Sequence, residues 1–406
     1  MRILFVSLLL PFPPSNGRRL RNWGLLSGLA AEGHQVTLIA FCEPHEQTVV
    51  EPELRQTCAN LELVTAPSRR NGVLGTSWGR LRALASSQPY GAWRLQSAEL
   101  TRRIQHWLGA EDFDLLVCDD IYITANLPPD IPVPVVLNKH DLTHVIMHRY
   151  LAYERNPLIR MYGRIEQWKT RRWEALACSR VSRMIVCSEV DRKELERLCP
   201  GTAAFIVPNV IDTDNYVTAP AGHDSTVIYF GALDWLPNRD AVEFFLREIL
   251  PLLRIWNPGV KFVVAGRNPP EAFGRLCSGL LGVEIAADVP DIRTEIAKAA
   301  VCVVPLRIGS GTRLKILEAA AMAKSIVSTR LGAEGLDFQD GEEIVLVDKP
   351  QAFARAVADL LANESRRQSL GRAARRRVEH DYNLPALRLA LRRALDVSRQ
   401  PWAKVK

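Results

Sequence analysis

Short apolar runs alternate with helical stretches along this chain, and that alternation constrains the fold more than any other feature. Six strand-like runs lie in the first half, at Arg2–Leu8, Gln35–Phe41, Leu61–Thr65, Asp114–Cys118, Val133–Leu137 and Arg183–Cys187. Helical patterns lie between or after them, at Arg18–Glu32, Ser97–Leu108, Ile159–Ala177 and Glu189–Leu198. Strands separated by helices predict a parallel sheet with helices on both faces.

The same pattern then starts again. Six more strands are predicted at Val227–Phe230, Lys261–Ala265, Val283–Ala286, Val301–Pro305, Ser325–Ser328 and Ile344–Val347. The helices between or after them are predicted at Asp240–Trp256, Ile292–Ala299, Arg313–Ala323 and Gln351–Leu361. Because 406 residues exceed one ordinary core, and a polar stretch from Val207 to Thr226 separates the halves, we expect two α/β domains. Their bounds are predicted as 1–205 and 206–380.

The location of the chain is predicted from what it lacks. No apolar run approaches the roughly 20 residues that a membrane span needs. The N-terminal segment has only Arg2 ahead of its apolar run and no small-residue cleavage pattern, so it predicts a first strand rather than a signal peptide. The eight cysteines are widely spaced, as expected of buried free thiols in a reducing compartment. We therefore expect a cytoplasmic protein.

Positive charge is concentrated at the C-terminus. The whole chain carries a formal net charge of +7, and residues 366–406 contain twelve Lys or Arg against three acidic residues. Such a basic segment is either a solvated face or a contact for anionic partners. Because aromatic residues are not interleaved with the arginines, nucleic acid is not expected. Peripheral contact of this basic tail, which includes the cluster Arg375–Arg377, with an anionic inner membrane face stays open.

The stretch from Val301 to Ala323 contains the strongest functional motif. A β-branched run ends at Pro305, and a turn of Gly309, Ser310, Gly311 and Thr312 leads into a helix of good helix formers. A tight glycine loop at a helix start presents backbone N–H groups and a positive dipole end, which suits a phosphate. Thr312 is predicted as the N-cap. Arg313 and Lys315 oppose the helix dipole there, which indicates that they meet an anion; the alternative is an ordinary turn.

Several motifs in a fixed order resemble one large family. They are Gly17 after a proline-rich loop, GHxV at Gly33–Val36, NKHD at Asn138–Asp141, VPNVID at Val207–Asp212, YFGALDWLPN at Tyr229–Asn238, the Gly309–Thr329 segment and GAEGL at Gly332–Leu336. Together they resemble the retaining glycosyltransferases of the GT-B type, family 4. The resemblance implies two Rossmann-like doubly wound domains facing a central cleft, with Gly17 and the Gly309–Thr312 loop on it. It also implies that residues 381–406 form a C-terminal helix, about Leu384–Arg399, that returns to the first domain.

The resemblance also implies roles for particular residues. Glu318 would bind the nucleotide ribose, although an i,i+3 pair with Lys315 is the alternative. His140 would contact the transferred sugar. The alternative is that it has a purely structural role. The remaining expected contacts with the nucleotide sugar are Gly17, Gly231, Asn238, Asp288, Val289, Gly309, Ser310, Gly311, Thr312 and Leu314.

Two departures from the family pattern concern the phosphate site. Ser310 stands where the family usually has the first of two glutamates, and Ala232 and Pro237 stand where a loop usually carries cations. Arg313 and Lys315, at the helix start, are therefore expected to neutralise the diphosphate in their place.

No metal and no other cofactor is expected. His140, His144 and His148 recur at a spacing of four, but the segment begins as a strand end and lacks carboxylates in helical register. The sequence Asp212-Thr213-Asp214 looks like a metal-binding motif of another fold, but it lies in the linker, so we interpret it as a turn.

These features predict a metal-independent transfer of a sugar, with retention, from a UDP- or GDP-sugar to an acceptor hydroxyl. The acceptor would be a glycan, a lipid-linked glycan or a small molecule, in exopolysaccharide, lipopolysaccharide or glycolipid synthesis. Two alternatives stay open: a nucleotide-sugar epimerase of the same fold, and a non-catalytic nucleotide-sugar or membrane-binding protein.

Overall fold

The computed structural model describes residues 1–43, 46, 52–67, 79–80, 82–218 and 223–396. The chain divides into two compact units. Unit 1 consists of Met1–Pro208 together with the chain from Leu387 onward, and unit 2 consists of Asn209–Ala386. Each unit is built on one parallel sheet, which confirms the α/β class predicted from the alternating pattern.

The sheet of unit 1 has seven parallel strands in the order β3-β2-β1-β4-β5-β6-β7. The strands are β1 (Arg2–Ser7), β2 (Gln35–Cys42), β3 (Asn60–Thr65), β4 (Leu115–Asp119), β5 (Val135–Asn138), β6 (Arg183–Val186) and β7 (Ala203–Ile206). The central strands β1 and β4 pair directly, with Ile3 opposite Leu115. The strand order reverses between them, and ligands of open α/β sheets bind at the carboxyl ends of the strands at such a point.

Six of these strands were predicted, and β7 was not. Its sequence, Ala203-Ala204-Phe205-Ile206, is short and only partly buried, because β7 is the edge strand beside β6. An edge strand does not need the continuous apolar pattern that identifies the inner strands.

The helices of unit 1 cover the sheet. They are α1 (Gly17–Ala31), α2 (Pro52–Thr57), α3 (Tyr90–Arg94), α4 (Ala98–Ala110), α5 (Thr143–Tyr153), α6 (Pro157–Ser179) and α7 (Glu189–Leu198). Four of them were predicted, and α7 has the predicted bounds. The other three, α2, α3 and α5, were not predicted, and the segment after Asp141 that forms α5 has little amphipathic pattern.

Unit 2 repeats this architecture with six parallel strands in the order β10-β9-β8-β11-β12-β13. They are β8 (His223–Phe230), β9 (Lys261–Gly266), β10 (Val283–Ala287), β11 (Ala299–Val304), β12 (Ser325–Ser328) and β13 (Val345–Leu346). All six were predicted. Here the order reverses between β8 and β11, so the carboxyl ends of these two strands mark the expected ligand position.

One predicted helix of unit 2 is interrupted in a way that the sequence explains. The helix α8 (Leu236–Phe244) continues through a π-helical turn (Phe245–Ile249) into α9 (Leu250–Trp256). Pro251 lacks the N–H that would continue the regular hydrogen-bond ladder, so the helix loosens just before it. The other helices are α10 (Glu271–Ser278), α11 (Ile292–Lys298), α12 (Leu314–Ala321), α13 (Pro350–Ala362) and α14 (Glu364–Asp381).

The last helix, α15 (Leu384–Leu395), begins at the predicted Leu384, and its predicted end, Arg399, lies outside the described residues, as do Lys404 and Lys406. Within unit 1 it packs on α1 at Gly28. A Cβ there would lie 3.0 Å from Leu391 Cδ1 and 3.1 Å from Leu387 Cδ2, so the absence of a side chain allows this close approach. Among the described helices, none is long and apolar enough to cross a membrane.

Candidate functional site

The loop that follows β11 has a backbone that only glycine adopts easily. Gly309 has φ +154° and Gly311 has φ +73°, both in the range that L side chains rarely occupy. A Cβ at Gly309 would also collide with the Arg313 guanidinium. The two glycines therefore permit the tight turn that leads from the central strand into α12, as the sequence predicted.

Arg313 holds this loop together from inside. Its Nη1 donates to the carbonyl of Ser310 at 2.6 Å and to that of Gly311, and Nη2 lies 3.5 Å from the carbonyl of Leu331. The side chain is only 9% exposed, so it is a brace of the loop. Arg313 also occupies the N-cap position of α12, so the prediction of Thr312 as the N-cap was wrong by one residue. The hydroxyl of Thr312 instead accepts a hydrogen bond from Asn209 Nδ2 at 2.7 Å.

Lys315, one residue into α12, reaches the carboxyl end of the neighbouring strand β8. Its Nζ donates to the Tyr229 hydroxyl at 2.7 Å and to Asn238 Oδ1 at 2.9 Å. The Asn238 side chain in turn donates to the Ala232 carbonyl at 2.7 Å. Gly231, with φ +149°, leaves this place open, because a Cβ there would lie 3.0 Å from Lys315 Nζ. The structure therefore brings the predicted residues Lys315 and Asn238 into direct contact beside Gly231.

The electrostatic setting of Lys315 is unusual for a lysine. Burial lowers the pKa of Lys315 to about 7, and the positive charge of Arg313 adds to this effect, while Glu318 acts weakly in the other direction. Its two hydrogen-bond partners are a phenol and an amide, neither of which carries negative charge. A cation in such a place gains strongly from an anionic ligand.

Glu318 lies one turn further along α12. Its Oε1 accepts a hydrogen bond from the Tyr216 hydroxyl at 3.1 Å, while the ammonium of Lys315 points to Tyr229 and Asn238. Burial raises the pKa of Glu318, against the opposing effects of the Tyr216 hydrogen bond and the Lys315 charge. Glu318 is therefore not an exposed helix-surface pair of Lys315; it is a carboxylate oriented by a tyrosine.

Asp288 and Val289 lie further along the same sheet edge. Asp288 has φ +50° and follows β10, and its Oδ1 accepts a hydrogen bond from the backbone N–H of Asn268 at 2.9 Å. This links the loops after β9 and β10. In the strand order, β9 and β10 lie on one side of β8 and β11 lies on the other. Asp288 and Val289 therefore lie at the same edge of the sheet as Lys315, but on the other side of β8.

Unit 1 has its own polar cluster at the carboxyl ends of β1, β4 and β5. Asp119, the last residue of β4, is fully buried and accepts hydrogen bonds from Asn22 Nδ2 at 2.6 Å and Ser7 Oγ at 3.3 Å. Its other oxygen accepts from Asn138 Nδ2 at 3.2 Å and faces His140 Nε2. Burial alone would raise the pKa of Asp119, but the contact with His140 and the charge of Arg18 outweigh it and lower the pKa.

This cluster orients His140. Burial lowers the pKa of the imidazole below its usual value of 6.5 although Asp119 opposes the shift, so the ring is neutral at pH 7. Because a carboxylate only accepts hydrogen bonds, the nitrogen facing Asp119, Nε2, carries the proton. The other nitrogen, Nδ1, is then an acceptor.

Neighbouring charges in unit 1 are also paired. Asp120, in a left-handed conformation with φ +76°, forms an ion pair with Arg18 Nη1 at 2.5 Å. Lys139 Nζ lies 2.9 Å from Glu174 Oε1, and the second oxygen of Glu174 faces His144. Gly17 is the first residue of α1, immediately before Arg18, and Asn16 caps this helix through its side chain.

Three of the residues considered as metal ligands, His140, His144 and Asp212, have other hydrogen-bond partners. Asp212 caps a short 3₁₀ turn (Thr213–Asn215), which agrees with the interpretation of Asp212–Asp214 as a turn. His144 is engaged with Glu174. Among the described residues, no group of three or more His, Cys, Asp or Glu side chains is arranged to hold a metal ion. All eight cysteines are buried and free, as the spacing predicted.

Three partners of the predicted site residues were not predicted from the sequence. Tyr229, Tyr216 and Asp119 each hold a predicted site residue, yet none of them was singled out. The signal for Asp119 was present, since Asp119-Asp120 directly follows the predicted strand Asp114–Cys118. For the tyrosines there was no such signal, because their partners are 86 and 102 residues away.

Two family models match this chain. "Glycosyltransferase Family 4" matches residues 21–215, and "Glycosyl transferases group 1" matches residues 224–363. Together they span most of both units. The chain is therefore a glycosyltransferase, and its two parallel-sheet units give it the GT-B fold.

Individual proteins show the same likeness. A protein of Klebsiella pneumoniae described as "Uncharacterized 44.6 kDa protein in cps region" is 20% identical over 377 residues, 90% of this chain and 92% of that protein. Among solved structures, sucrose-phosphate synthase from Thermosynechococcus elongatus superposes with a TM-score of 0.74 at 17% identity, over 98% of each chain.

Two further structures share the fold. Anabaena HepE in complex with UDP and glucose gives a TM-score of 0.67 at 14% identity, over 97% of this chain and 99% of its own. WaaG, described as a glycosyltransferase involved in lipopolysaccharide biosynthesis, gives a TM-score of 0.65 at 15% identity, over 97% of this chain and 99% of its own.

Proposed function

We propose that this glycosyltransferase moves a sugar from a nucleotide diphosphate sugar to an acceptor hydroxyl, with retention at the anomeric carbon and without a metal ion. The observation that carries the proposal is the position of Lys315. Its ammonium lies at the point where the strand order of unit 2 reverses, against neutral partners and beside a glycine loop. A diphosphate would supply the negative charge that this lysine lacks among its direct partners.

The leaving diphosphate would be stabilised by two kinds of group. The backbone N–H groups of Gly309–Thr312 and the start of α12 provide a positive dipole end, and Lys315 provides a full charge. Arg313 takes a different role from the one expected of it. Because its guanidinium is turned onto the loop carbonyls, we assign it to holding the loop in shape rather than to direct contact with phosphate.

Glu318 would accept hydrogen bonds from the ribose hydroxyls. The Tyr216 hydroxyl occupies Oε1, which leaves Oε2 for the ribose. The expected contacts of Asp288 and Val289 with the nucleobase are part of the same proposal.

His140 would contact the transferred sugar in unit 1. In its neutral form, Nδ1 presents a lone pair that can accept a hydrogen bond from a sugar hydroxyl. Two carboxylates near it, Asp119 and Asp120, are already held by His140 and Arg18, which argues against their acting as a covalent nucleophile. A front-face substitution through an oxocarbenium-like state is therefore the proposed route to retention.

The donor and acceptor are proposed from chemistry and from relatives. HepE is described in complex with UDP and glucose, which supports a UDP-sugar, and a GDP-sugar stays the second choice. WaaG is described as involved in lipopolysaccharide biosynthesis, which supports a glycan or lipid-linked acceptor in polysaccharide or glycolipid synthesis.

A peripheral membrane location belongs to the same proposal. The basic C-terminal segment is its expected contact, although several of its arginines have internal partners. Arg375 binds Glu379, Arg377 binds Glu343 and Asp381, and Arg392 binds Glu32. Arg372, Arg376 and Arg393 are exposed.

A screen of nucleotide sugars tests the proposal. Thermal unfolding would be followed with UDP-, GDP-, ADP- and dTDP-sugars, where a donor at 100 times its Kd adds about 2.7 kcal/mol to the free energy of unfolding. The donor that stabilises the protein is then incubated with acceptors, in the presence and in the absence of EDTA. NMR gives the anomeric configuration of the product. An inverted product, or activity abolished by EDTA, would contradict the proposal. If the donor is converted to an epimer without any acceptor, the result would favour an epimerase. If the donor binds but is not turned over, the result would favour a non-catalytic protein.

A further inference from the structure

The long helix α6 of unit 1 carries an apolar stripe that the fold leaves uncovered. Six of the sixteen exposed large apolar side chains among the described residues lie on this one helix, so their position is not random scatter. The most exposed are Leu158 at 71%, Met161 at 60% and Trp168 at 56%. With Ile165 and Leu176 they follow the spacing of three and four residues that places side chains on one helix face.

The stripe is long and has one interruption. It consists of Leu158, Met161, Ile165, Trp168 and Leu176, and Arg172 lies between the last two. The Arg172 guanidinium lies 4.7 Å from the ring centroid of Trp168. At 1.5 Å per residue the stripe extends about 27 Å along the helix. Arg172 keeps its charge at the surface while its stem covers the indole ring.

All of the exposed charges on α6 are positive. Arg160, Arg164, Arg171 and Arg172 are exposed, and Arg155 just before the helix is exposed as well. The two acidic residues of α6, Glu166 and Glu174, are buried. An apolar stripe with an indole ring and arginine flanks is the pattern of a helix that lies in the interface of an anionic bilayer.

The opposite face of α6 is fixed to the rest of unit 1. Lys169 Nζ donates to the carbonyls of Ala83 at 2.7 Å and Leu84 at 3.0 Å, and Glu166 accepts from the Tyr90 N–H at 2.8 Å. Gly163 lets α5 approach, since a Cβ there would lie 2.5 Å from Leu151 Cδ2. The helix can therefore present its stripe without unfolding or rotating.

We infer that this stripe, with its arginine flank, docks unit 1 on the surface of an anionic lipid bilayer. A second copy of the chain fits less well. A two-fold contact through the stripe would bring the exposed arginines of one copy towards those of the other, without exposed carboxylates on α6 to offset them. Lipid phosphates offset this charge directly.

The test is sedimentation of the full chain with vesicles, which needs no donor and reads no turnover, so it stands apart from the proposed reaction. Wild type should bind phosphatidylcholine vesicles containing phosphatidylglycerol more tightly than phosphatidylcholine alone, and less tightly at high salt. Arg160→Gln/Arg164→Gln/Arg171→Gln should weaken binding about fivefold for each charge. Met161→Gln/Ile165→Gln/Trp168→Gln should weaken it about tenfold or more.

Matched controls come from unit 2. Leu281, 90% exposed, and Ile255, 70% exposed, offer a double Gln variant, and Arg330→Gln/Arg355→Gln removes exposed charge elsewhere in unit 2. Both controls should bind like wild type, and circular dichroism should show every variant folded. The inference is overturned if the α6 variants, shown to be folded, bind as tightly as wild type. It is equally overturned if only Arg376→Gln/Arg393→Gln abolishes binding, or if the stripe variants only dissociate a dimer that ignores vesicles.

Discussion

The ammonium of Lys315 lies 2.7 Å from the phenolic oxygen of Tyr229 and 4.0 Å from the centroid of its ring. This pair places a cation among groups that stabilise it only partly, since burial lowers the pKa of Lys315 to about 7. Such an arrangement favours ligand binding over stability. The two properties should therefore separate when the lysine is replaced.

Lys315→Met should lower kcat about a hundredfold or more while raising the melting temperature at pH 7. The rate falls because the charge on the leaving diphosphate loses a stabilising group. Stability rises because wild type buries a charge without an anionic partner. Between pH 7 and 10.5 only the unfolded chain keeps this proton, so wild-type stability rises with pH and the advantage of the variant shrinks. Lys298→Met, at an exposed lysine, is the control, and a lower melting temperature for Lys315→Met would contradict the argument.

Arg313→Ala should also lower activity, but with the opposite effect on stability. Its guanidinium binds the Ser310 and Gly311 carbonyls from a position only 9% exposed, so the variant removes these hydrogen bonds from the loop. We expect a loss of about 1–3 kcal/mol in the free energy of unfolding. Urea unfolding of the two variants side by side measures this. A variant as stable as wild type would show that Arg313 does not brace the loop.

Donor binding should depend on pH through Lys315. The free protein has a pKa of about 7 at this lysine, and a bound diphosphate would raise it. Binding between about pH 7 and 9 should therefore take up a proton, and affinity for the nucleotide sugar should fall as pH rises through this window. Titration calorimetry in buffers of different ionisation enthalpy counts the proton. Lys315→Met should show no such uptake, and uptake retained in this variant would assign it to another group.

Glu318→Gln should impair recognition of the ribose more than turnover. If Glu318 accepts a hydrogen bond from a ribose hydroxyl, the variant should raise KM for the donor about tenfold. The difference in KM between the donor and its 2′-deoxy analogue should also become smaller. Tyr216→Phe removes the hydroxyl that lies 3.1 Å from Glu318, so it should show a weaker effect in the same direction. Equal discrimination of the two donors by wild type and Glu318→Gln would exclude this role.

His140→Gln should lower kcat about a hundredfold with little change in donor affinity, because its proposed contact is with the sugar during transfer. His148→Gln is the matched control, since this histidine lies on α5 with its side chain exposed. Single-turnover rates and Kd for the donor, measured separately, distinguish the two effects. A change confined to Kd would place His140 in ground-state binding instead.

The local sequence was sufficient to predict nearly all of the strands and the glycine loop. Twelve of the thirteen strands in the described part of the chain were predicted because buried parallel strands are continuous apolar runs, which a short window of sequence reveals. The loop was recognised because Gly309 and Gly311 adopt backbone conformations that other residues avoid. The N-cap of α12 was misplaced by one residue, since a helix end depends on hydrogen bonds that the sequence lists only as possibilities.

What the sequence by itself determined is the class of fold, the succession of strands and helices, and the residue types at the strand ends. Tertiary structure alone decided which of those residues meet. Lys315 turns to Tyr229, 86 residues away, and His140 is oriented by Asp119 on the adjacent strand. It also decided that Arg313 turns inward and that one face of α6 stays uncovered. The reason is physical: periodicity is set by neighbours within a few residues, whereas the partners of a side chain are set by strand order and helix packing, which bring distant segments together.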